Sequence, residues 1–274
     1  MPNLSRMKVL PPSFLFSAQV GFGYTCAVVL NGASVTRVAA LAKPIKTATE
    51  TVVGPGTSRS ANAAKWLVVA SGKGGTTKTT TTLNLATIAA AEGLRVGLLD
   101  SDEQETLTKW YERRRKHSGV PGIRLFTIPL VDIKRAIREV EGAGSLDVVI
   151  VDTPPGLEQR TRISELLRRA DFVLVPTSQS IADIDSALEF MSATSALGAR
   201  SAFLLSRTNQ RWSSYRMAKM QLNRAGPLCP VDIRQLRDIE ATHDYGLGIN
   251  ELGGAKGTDD IEAVWEFVRK AMGI

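Results

Sequence analysis

Cysteine is scarce in this 274-residue sequence, which contains only Cys26 and Cys229. The two residues lie far apart and form no C-x-x-C pair, so no disulfide framework and no thiolate set for zinc or an iron–sulfur cluster is indicated. Long apolar runs are also missing. The most apolar N-terminal stretch, residues 14–30, is broken by polar residues and is short for a membrane span, which needs about 20 mostly apolar residues.

Acidic residues are nearly absent from the first 64 positions. This segment holds six basic residues against Glu50 alone, so it carries +5 of the chain's formal charge of +7. The remaining 210 residues are therefore almost balanced, and the high isoelectric point is not in itself evidence that they bind nucleic acid.

Residues 1–63 show no clear helical or strand period. Four interpretations compete: a disordered basic arm, a transit peptide, a signal-like segment, or translation upstream of the true start. We favour the arm or the misplaced start, with residues 52–58 as a linker. The predicted domains are thus an N-terminal extension, residues 1–63, and a globular domain, residues 64–274.

A glycine-rich segment, residues 71–80, lies between an apolar run and a helix-like stretch. This context is typical of a phosphate-binding loop, because backbone N–H groups and the helix N-terminus suit a polyphosphate. Lys78 would reach the β- and γ-phosphates, and the Thr79 hydroxyl would bind Mg²⁺. Thr77 stands where the strict pattern has its second glycine. The alternative is an ordinary strand-to-helix turn with two solvated lysines.

From residue 65 onwards, apolar segments alternate with amphipathic ones. This pattern predicts an α/β fold with a mostly parallel twisted sheet and helices on both faces, whose ligands lie at the carboxyl ends of the strands. Strands are predicted at 66–70, 95–99, 123–128, 148–151, 172–176 and 202–205. Helices are predicted at 79–91, 105–115, 132–141, 158–169, 182–196, 213–224 and 260–272.

Two predicted strands end in carboxylates. Asp100 and Asp102 follow one of them, and Asp152 ends another in the manner of a Walker B motif. Asp152 would hold Mg²⁺ directly or through water, unless it only caps the following helix.

Lys73 and the segment K-G-G-x-x-K-T-T that it begins resemble the deviant Walker A motif of the ParA/MinD family of dimeric P-loop ATPases. The resemblance extends to the C-terminus. Asp100 matches the first residue of the family's D-x-D-P-Q motif, which is associated with positioning the attacking water, although Glu103 replaces the proline. Ser206 stands where the family usually has an asparagine, and residues 240–249 resemble its A-x-x-x-G segment. His243 in that segment is expected to be structural or exposed.

The resemblance implies an Mg²⁺-dependent ATPase that is slow alone and stimulated by a partner. It implies an ATP-dependent homodimer in which Lys73 reaches the other subunit's phosphates, and it makes Lys73, Lys78 and Asp100 the catalytic residues. A cluster site is not expected, because the iron–sulfur relatives need cysteines that this domain lacks. The implied nucleotide-binding residues are Gly72, Lys73, Gly74, Gly75, Thr76, Thr77, Lys78, Thr79, Thr80 and Arg207.

ParA-like partition proteins bind double-stranded DNA nonspecifically through a basic C-terminal surface and work with a ParB-like partner. The resemblance therefore implies that this protein lies in the cytoplasm and associates with the nucleoid. A matching basic segment lies between positions 207 and 237, although a solvated basic helix is the simpler alternative. The candidate DNA-binding residues are Arg207, Arg211, Arg216, Lys219, Arg224, Arg234 and Arg237. Residues 113–116 are a second basic candidate.

Other uses of such an ATPase stay open. These are a MinD-like membrane-associated positioning ATPase, an accessory ATPase of conjugative transfer, and a nucleotide-binding scaffold that hardly turns over. The C-terminal segment 261–272 is amphipathic, but its neighbouring acids disfavour anionic lipid, so a helix packed on the core is expected and a membrane partner is not.

Overall fold

A computed structural model describes residues 16–20, 24–28, 63–156 and 160–274. The chain divides into two compact units, Met1–Gly56 and Thr57–Ile274. In the first unit, strands β1 (Phe16–Val20) and β2 (Tyr24–Val28) form an antiparallel hairpin. The hairpin lies in a segment where we expected no regular structure. The proposed linker lies outside the described residues, and the domain boundary at residue 63 stays a prediction.

The second unit is built on a sheet of seven strands, and every strand pairing in it is parallel. The strands are β3 (Lys65–Val69), β4 (Val96–Asp100), β5 (Ile123–Thr127), β6 (Val148–Asp152), β7 (Phe172–Thr177), β8 (Ser201–Thr208) and β9 (Ile233–Arg234). Their order in the sheet is β5-β4-β6-β3-β7-β8-β9. The chain leaves β3 toward one edge and later continues toward the other, which opens a ligand crevice at the carboxyl ends of the central strands.

Helices cover both faces of this sheet. They are α1 (Lys78–Ala91), α2 (Thr106–Arg114), α3 (Ile133–Gly142), α4 (Arg160–Arg169), α5 (Ile181–Ala196), α6 (Ser213–Ala225), α7 (Arg237–Tyr245) and α8 (Thr258–Met272). Side chains of β3 alternate between two apolar cores, Leu67 and Val69 facing one and Trp66 and Val68 the other. The predicted α/β fold is therefore confirmed, and each predicted element occurs within three residues at either end.

One strand and one α-helix of the sheet unit were not predicted: β9 and α7. β9 is only two residues long, so no periodicity could reveal it. The α7 segment was singled out only through its resemblance to the family's A-x-x-x-G segment. Gly246 ends that helix at φ +69°, and a Cβ there would lie 2.5 Å from the backbone nitrogen of Arg114. Glycine is therefore needed both for the left-handed turn and for the close approach of α7 to α2.

Helix α8 packs on the core as expected. Its residues Ile261, Val264, Trp265 and Val268 are buried, and Phe267 meets Phe172 edge to face with ring centroids 6.0 Å apart. The apolar stripe of this helix is thus accounted for by packing in the fold. In the portion of the chain that the structure describes, no helix is long and apolar enough to cross a membrane.

The second basic candidate, residues 113–116, proves largely structural. Arg114 is only 3% exposed and forms an ion pair with Glu251, and the Arg113 side chain donates to the backbone carbonyl of His243. Only Arg115 and Lys116 remain exposed. The four residues therefore do not present a cationic surface of the kind we had considered, because two of them hold α2 against α7 and the loop after it.

Candidate nucleotide site

A glycine-rich loop joins β3 to α1 at the carboxyl edge of the sheet and borders a cavity of about 540 Å³. Gly75 lies at φ +74°, and a Cβ on Gly72 would lie 2.7 Å from the Ser186 hydroxyl oxygen. The Ser71 and Thr76 hydroxyls, 2.5 Å apart, hold the two ends of the loop together. The loop residues that we expected to hold phosphate, from Gly74 to Thr80, all line the cavity. Gly72 and Lys73 do not line it.

Lys78 begins α1 and is 7% exposed. Its ammonium donates to the Lys73 backbone carbonyl at 3.2 Å. Burial lowers the pKa of Lys78, while the nearby carboxylates of Asp152 and Asp102 oppose that shift. A largely desolvated cation lining a cavity beside backbone N–H groups is suited to hold an anionic phosphate.

Thr79 and Asp152 meet beside this lysine. The Thr79 hydroxyl donates to Asp152 Oδ2 at 2.6 Å, while Oδ1 is buried and has no hydrogen-bond partner among the described residues. Burial raises the pKa of Asp152 to about 7, the Thr79 hydrogen bond opposes the shift, and the neighbouring Asp100 adds to it. An unpaired buried carboxylate oxygen beside a hydroxyl is a donor set that fits Mg²⁺. Among the described residues, the Asp152 carboxylate bonds to Thr79 and to no N–H group of α4, which is described from Arg160 onwards.

Strand pairing brings Asp100 and Asp102 to the same edge of the sheet as Asp152. Asp100 lies in register with Asp152, yet Asp102 is the carboxylate that lines the cavity. Asp100 Oδ2 instead accepts the backbone N–H and the hydroxyl of Thr108, both at 2.8 Å. Burial raises the pKa of Asp100, and these hydrogen bonds oppose the shift. Asp100 therefore fixes the first turn of α2, and its role toward water stays a prediction.

Lys73 points away from the phosphate cradle. Its ammonium lies 2.5 Å from Asp183 Oδ1 in the first turn of α5, and its side chain is 47% exposed. Burial would raise the pKa of Asp183, but hydrogen bonds from Lys73, Ser178 and Ser180 outweigh it and lower the pKa. The single chain thus holds Lys73 in an ion pair with α5, and its role toward another subunit stays a prediction.

Two residues that depart from the usual motifs contact each other. The Thr77 hydroxyl donates to Ser206 Oγ at 2.8 Å, and Ser206 donates to the Thr177 carbonyl at 3.2 Å. Thr77 lies at φ +67°, a region that a β-branched residue occupies at a cost of about 1–3 kcal/mol. The bond to Ser206 ties the strained loop to β8 and offsets part of that cost.

This contact predicts a measurable coupling. Ser206→Ala is expected to lower the free energy of unfolding by about 1 kcal/mol, because the Thr77 hydroxyl loses its acceptor. In a Thr77→Gly background the same change should cost less, since the Thr77 hydroxyl is absent and only the bond from Ser206 to the Thr177 carbonyl is lost. Urea denaturation of the two single variants and the double variant gives the coupling energy. If the losses of the two single variants add up to that of the double variant within about 0.3 kcal/mol, the pairing is contradicted. The control is Ser213→Ala, at an exposed site, whose effect should simply add to that of Thr77→Gly.

The far side of the cavity was missed by sequence reasoning. It is lined by the 233–236 segment after β8 and by Ile239, Glu240 and His243 of α7. His243 Nε2 lies 2.9 Å from the Thr80 hydroxyl, and burial lowers its pKa. His243 is thus a half-buried residue that touches the phosphate loop, and its structural role stays a prediction. Arg207, predicted to bind nucleotide, borders the cavity with Nη1 3.5 Å from the Gly75 carbonyl.

The seven basic candidates for DNA binding are not equivalent. Lys219 pairs with Asp232 at 3.0 Å and Arg234 with Asp260 at 2.8 Å, so the charges of these two side chains are already partnered. The others are exposed, and among the described residues no ion pair involves the following four of them: Arg211, Arg216, Arg224 and Arg237.

The sequence was compared with protein-family models and with known proteins. The model of the VirC1 protein family matches residues 64–211. The maintenance of carboxysome distribution protein A of Gloeobacter kilaueensis is 31% identical over 209 residues, which cover 75% of this chain and 93% of that protein. Protein VirC1 of Rhizobium radiobacter is 32% identical over 126 residues, 44% of this chain and 52% of that protein.

A solved structure shows the same fold. The septum site-determining protein MinD of Pyrococcus horikoshii, complexed with Mg-ADP, superposes with a TM-score of 0.62 at 18% sequence identity, covering 77% of this chain and 98% of that chain. Together with the loop, the strand-end carboxylates and the parallel sheet, these matches show that the chain belongs to the VirC1 family of ParA/MinD-type P-loop ATPases.

Proposed function

We propose that this protein is an ATP-hydrolysing positioning ATPase that dimerises on ATP and binds double-stranded DNA nonspecifically. The observation that carries nucleotide binding is the cluster of Lys78, Thr79 and Asp152 beside the glycine-rich loop, in which the lysine and the carboxylate are buried and one carboxylate oxygen is unpaired. ATP would lie with its phosphates on the loop and Lys78. Mg²⁺, held by Thr79 and Asp152, would neutralise phosphate charge.

Hydrolysis rather than mere binding is proposed because a carboxylate, Asp100, lies in register with Asp152 on the neighbouring strand. Asp100→Ala is expected to lower the rate of phosphate release by about 100-fold or more while ATP affinity stays within a few fold. Asp102→Ala is the comparison, since Asp102 lines the cavity but is not the residue that we assign to the water. Equal phosphate release by wild type and Asp100→Ala would favour the nucleotide-binding scaffold instead.

Dimerisation on ATP is proposed from Lys73. The Lys73 side chain is about half exposed and pairs with Asp183 of α5. Lys73 could therefore leave this carboxylate for a phosphate bound to the partner subunit, which would replace one anion by another. Lys73→Ala should therefore prevent the ATP-dependent dimer while nucleotide still binds the monomer.

DNA binding is proposed from the arginines without ion pairs on and near α6: Arg211, Arg216 and Arg224. Guanidinium groups free of acidic neighbours can neutralise phosphates and release counterions, which gives sequence-independent binding that weakens with salt. Coupled to ATP, such binding suits segregation of a plasmid or chromosome with a ParB-like partner. The relative named for carboxysome distribution favours a second candidate, the positioning of a protein body.

The test is duplex binding by the full chain with ADP, ATP and a slowly hydrolysed ATP analogue at two salt concentrations, with the mass in solution measured in parallel. We expect dimers and salt-sensitive DNA binding in the ATP states alone. Replacing Arg211, Arg216 and Arg224 by alanine should abolish DNA binding and leave the dimer intact, whereas Arg138→Ala on α3 should change neither. A nucleotide-dependent dimer that ignores DNA would exclude the partition role and leave the ATPase.

A further inference from the structure

Helix α6 presents apolar side chains to solvent at the centre of its outer face. Trp212, Met217 and Met220 are 57%, 54% and 40% exposed, and they make up three of the seven large apolar side chains found exposed in the described part of the chain. Ala218 and Leu222, on the opposite side of the helix, are fully buried and anchor it in the core. The exposed stripe is therefore a surface that the fold holds in place and does not cover.

Arginines flank this stripe, and acids are absent from it. No aspartate or glutamate occurs between positions 207 and 231. Arg216 and Arg224 lie on the exposed side of α6 beside the methionines. The one lysine of the helix, Lys219, is turned toward Tyr215 and Asp232 and is engaged there. Asp232 is itself buried, so it does not reduce the positive charge at the outer face.

This composition distinguishes a protein partner from DNA. Nonspecific DNA binding depends on cations placed over phosphates, and exposed methionines add nothing to it. Protein interfaces are enriched in tryptophan, methionine and arginine and depleted in lysine, and methionine side chains adapt to apolar partners. A membrane surface is a poorer match, because the helix is fixed by its buried side and offers only three apolar side chains.

We propose that the outer face of α6, the stripe of Trp212, Met217 and Met220 with Arg216 and Arg224 beside it, docks an acidic amphipathic helix of a partner protein. The partner's apolar residues would pack on the methionines at helical spacing, and its carboxylates would pair with the arginines. The inference rests on the proposed function and deepens it, since it gives the chemistry of the stimulating partner. Because the same arginines are proposed to bind DNA, partner and duplex would compete.

The stripe is connected to the site. Ser214 on α6 accepts a hydrogen bond from Gln179 Nε2 at 3.0 Å, and the adjacent Ser178 donates to Asp183 at 2.6 Å. Asp183 holds Lys73. A partner on α6 would thus sit on an element that is hydrogen-bonded to the segment restraining Lys73, which is where a stimulating contact would have effect.

The test uses the full-length protein and labelled model peptides of about 18 residues, five helical turns. One is an amphipathic peptide of leucine and glutamate, the second has lysine for glutamate, and the third is a scrambled, non-amphipathic form of the first. Binding is measured by fluorescence anisotropy without DNA. We expect the glutamate peptide alone to bind, and we expect Met217→Ser with Met220→Ser to weaken it at least about tenfold. Arg216→Ser with Arg224→Ser should weaken it similarly, and Val131→Ser, at an exposed apolar site elsewhere, should not.

Several results would overturn the proposal: no binding of the glutamate peptide, equal binding of the lysine or scrambled peptide, or unchanged affinity in the methionine variant. Duplex binding and binding to vesicles of anionic lipid are measured with the same variants. Loss of either in the methionine variant would assign the stripe to DNA or to membrane instead. If wild type binds the peptide but no duplex, the proposed DNA role fails while the docking surface stands.

Discussion

Arg114→Ala is expected to lower the free energy of unfolding by about 3–5 kcal/mol, a large part of the stability of a typical domain. Arg114 and Glu251 are 3% and 9% exposed and form a two-pronged ion pair, with Nη1 to Oε2 at 2.5 Å and Nη2 to Oε1 at 2.7 Å. Nη2 also donates to the Pro121 carbonyl, and Glu251 accepts the Gly248 N–H. Removing the guanidinium leaves the Glu251 carboxylate buried without its counterion, which is why the loss should be large.

Chemical denaturation of three variants, each compared with wild type, tests this expectation. Arg115→Ala is the matched control, because the neighbouring Arg115 is exposed and pairs with Glu112 only on the helix surface, so its loss should cost no more than about 1 kcal/mol. Arg114→Met combined with Glu251→Leu removes both charges and should cost less than Arg114→Ala alone. A loss below about 1 kcal/mol in Arg114→Ala would show that the pair is not what fastens α2 to the 246–251 segment.

Lys78→Ala is expected to weaken ATP binding by about 2–5 kcal/mol, roughly 30-fold to several thousand-fold in Kd. The ammonium lies in the cavity wall at the first residue of α1 with one backbone carbonyl as its hydrogen-bond acceptor, so most of its donor capacity is available to a phosphate. Because the group is largely buried, water does not screen its attraction for the nucleotide as it would at the surface.

Titration calorimetry at protein concentrations too low for dimerisation measures this effect, and thermal unfolding confirms that the variant is folded. Lys73→Ala is the matched control in the same loop. Lys73 is half exposed and bound to Asp183, so its removal should change the affinity of the monomer by only a few fold. Similar losses in both lysine variants would contradict the assignment of the phosphate to Lys78.

The sequence by itself determined the features that are set by residues close together along the chain, namely the strands, the helices and the motifs at their ends. Alternating apolar segments and amphipathic helices predicted the parallel sheet, because a strand buried on both faces must be apolar throughout. The glycine-rich loop predicted the cradle around Lys78, and the acid at the end of a buried strand predicted Asp152 beside Thr79. These side chains meet because the ends of parallel strands share one edge of the sheet, so no knowledge of distant packing was needed.

Only the tertiary structure decided which distant residues serve one another. Thr77 and Ser206 are 129 positions apart, Lys73 and Asp183 are 110 apart, and Arg114 and Glu251 are 137 apart. The local sequence does not indicate these partners, because the same serine, lysine or arginine can be either solvated or paired. Strand order and helix packing bring them within hydrogen-bond reach, and the same packing leaves Met217 and Met220 outside the core although their residue type alone predicts burial.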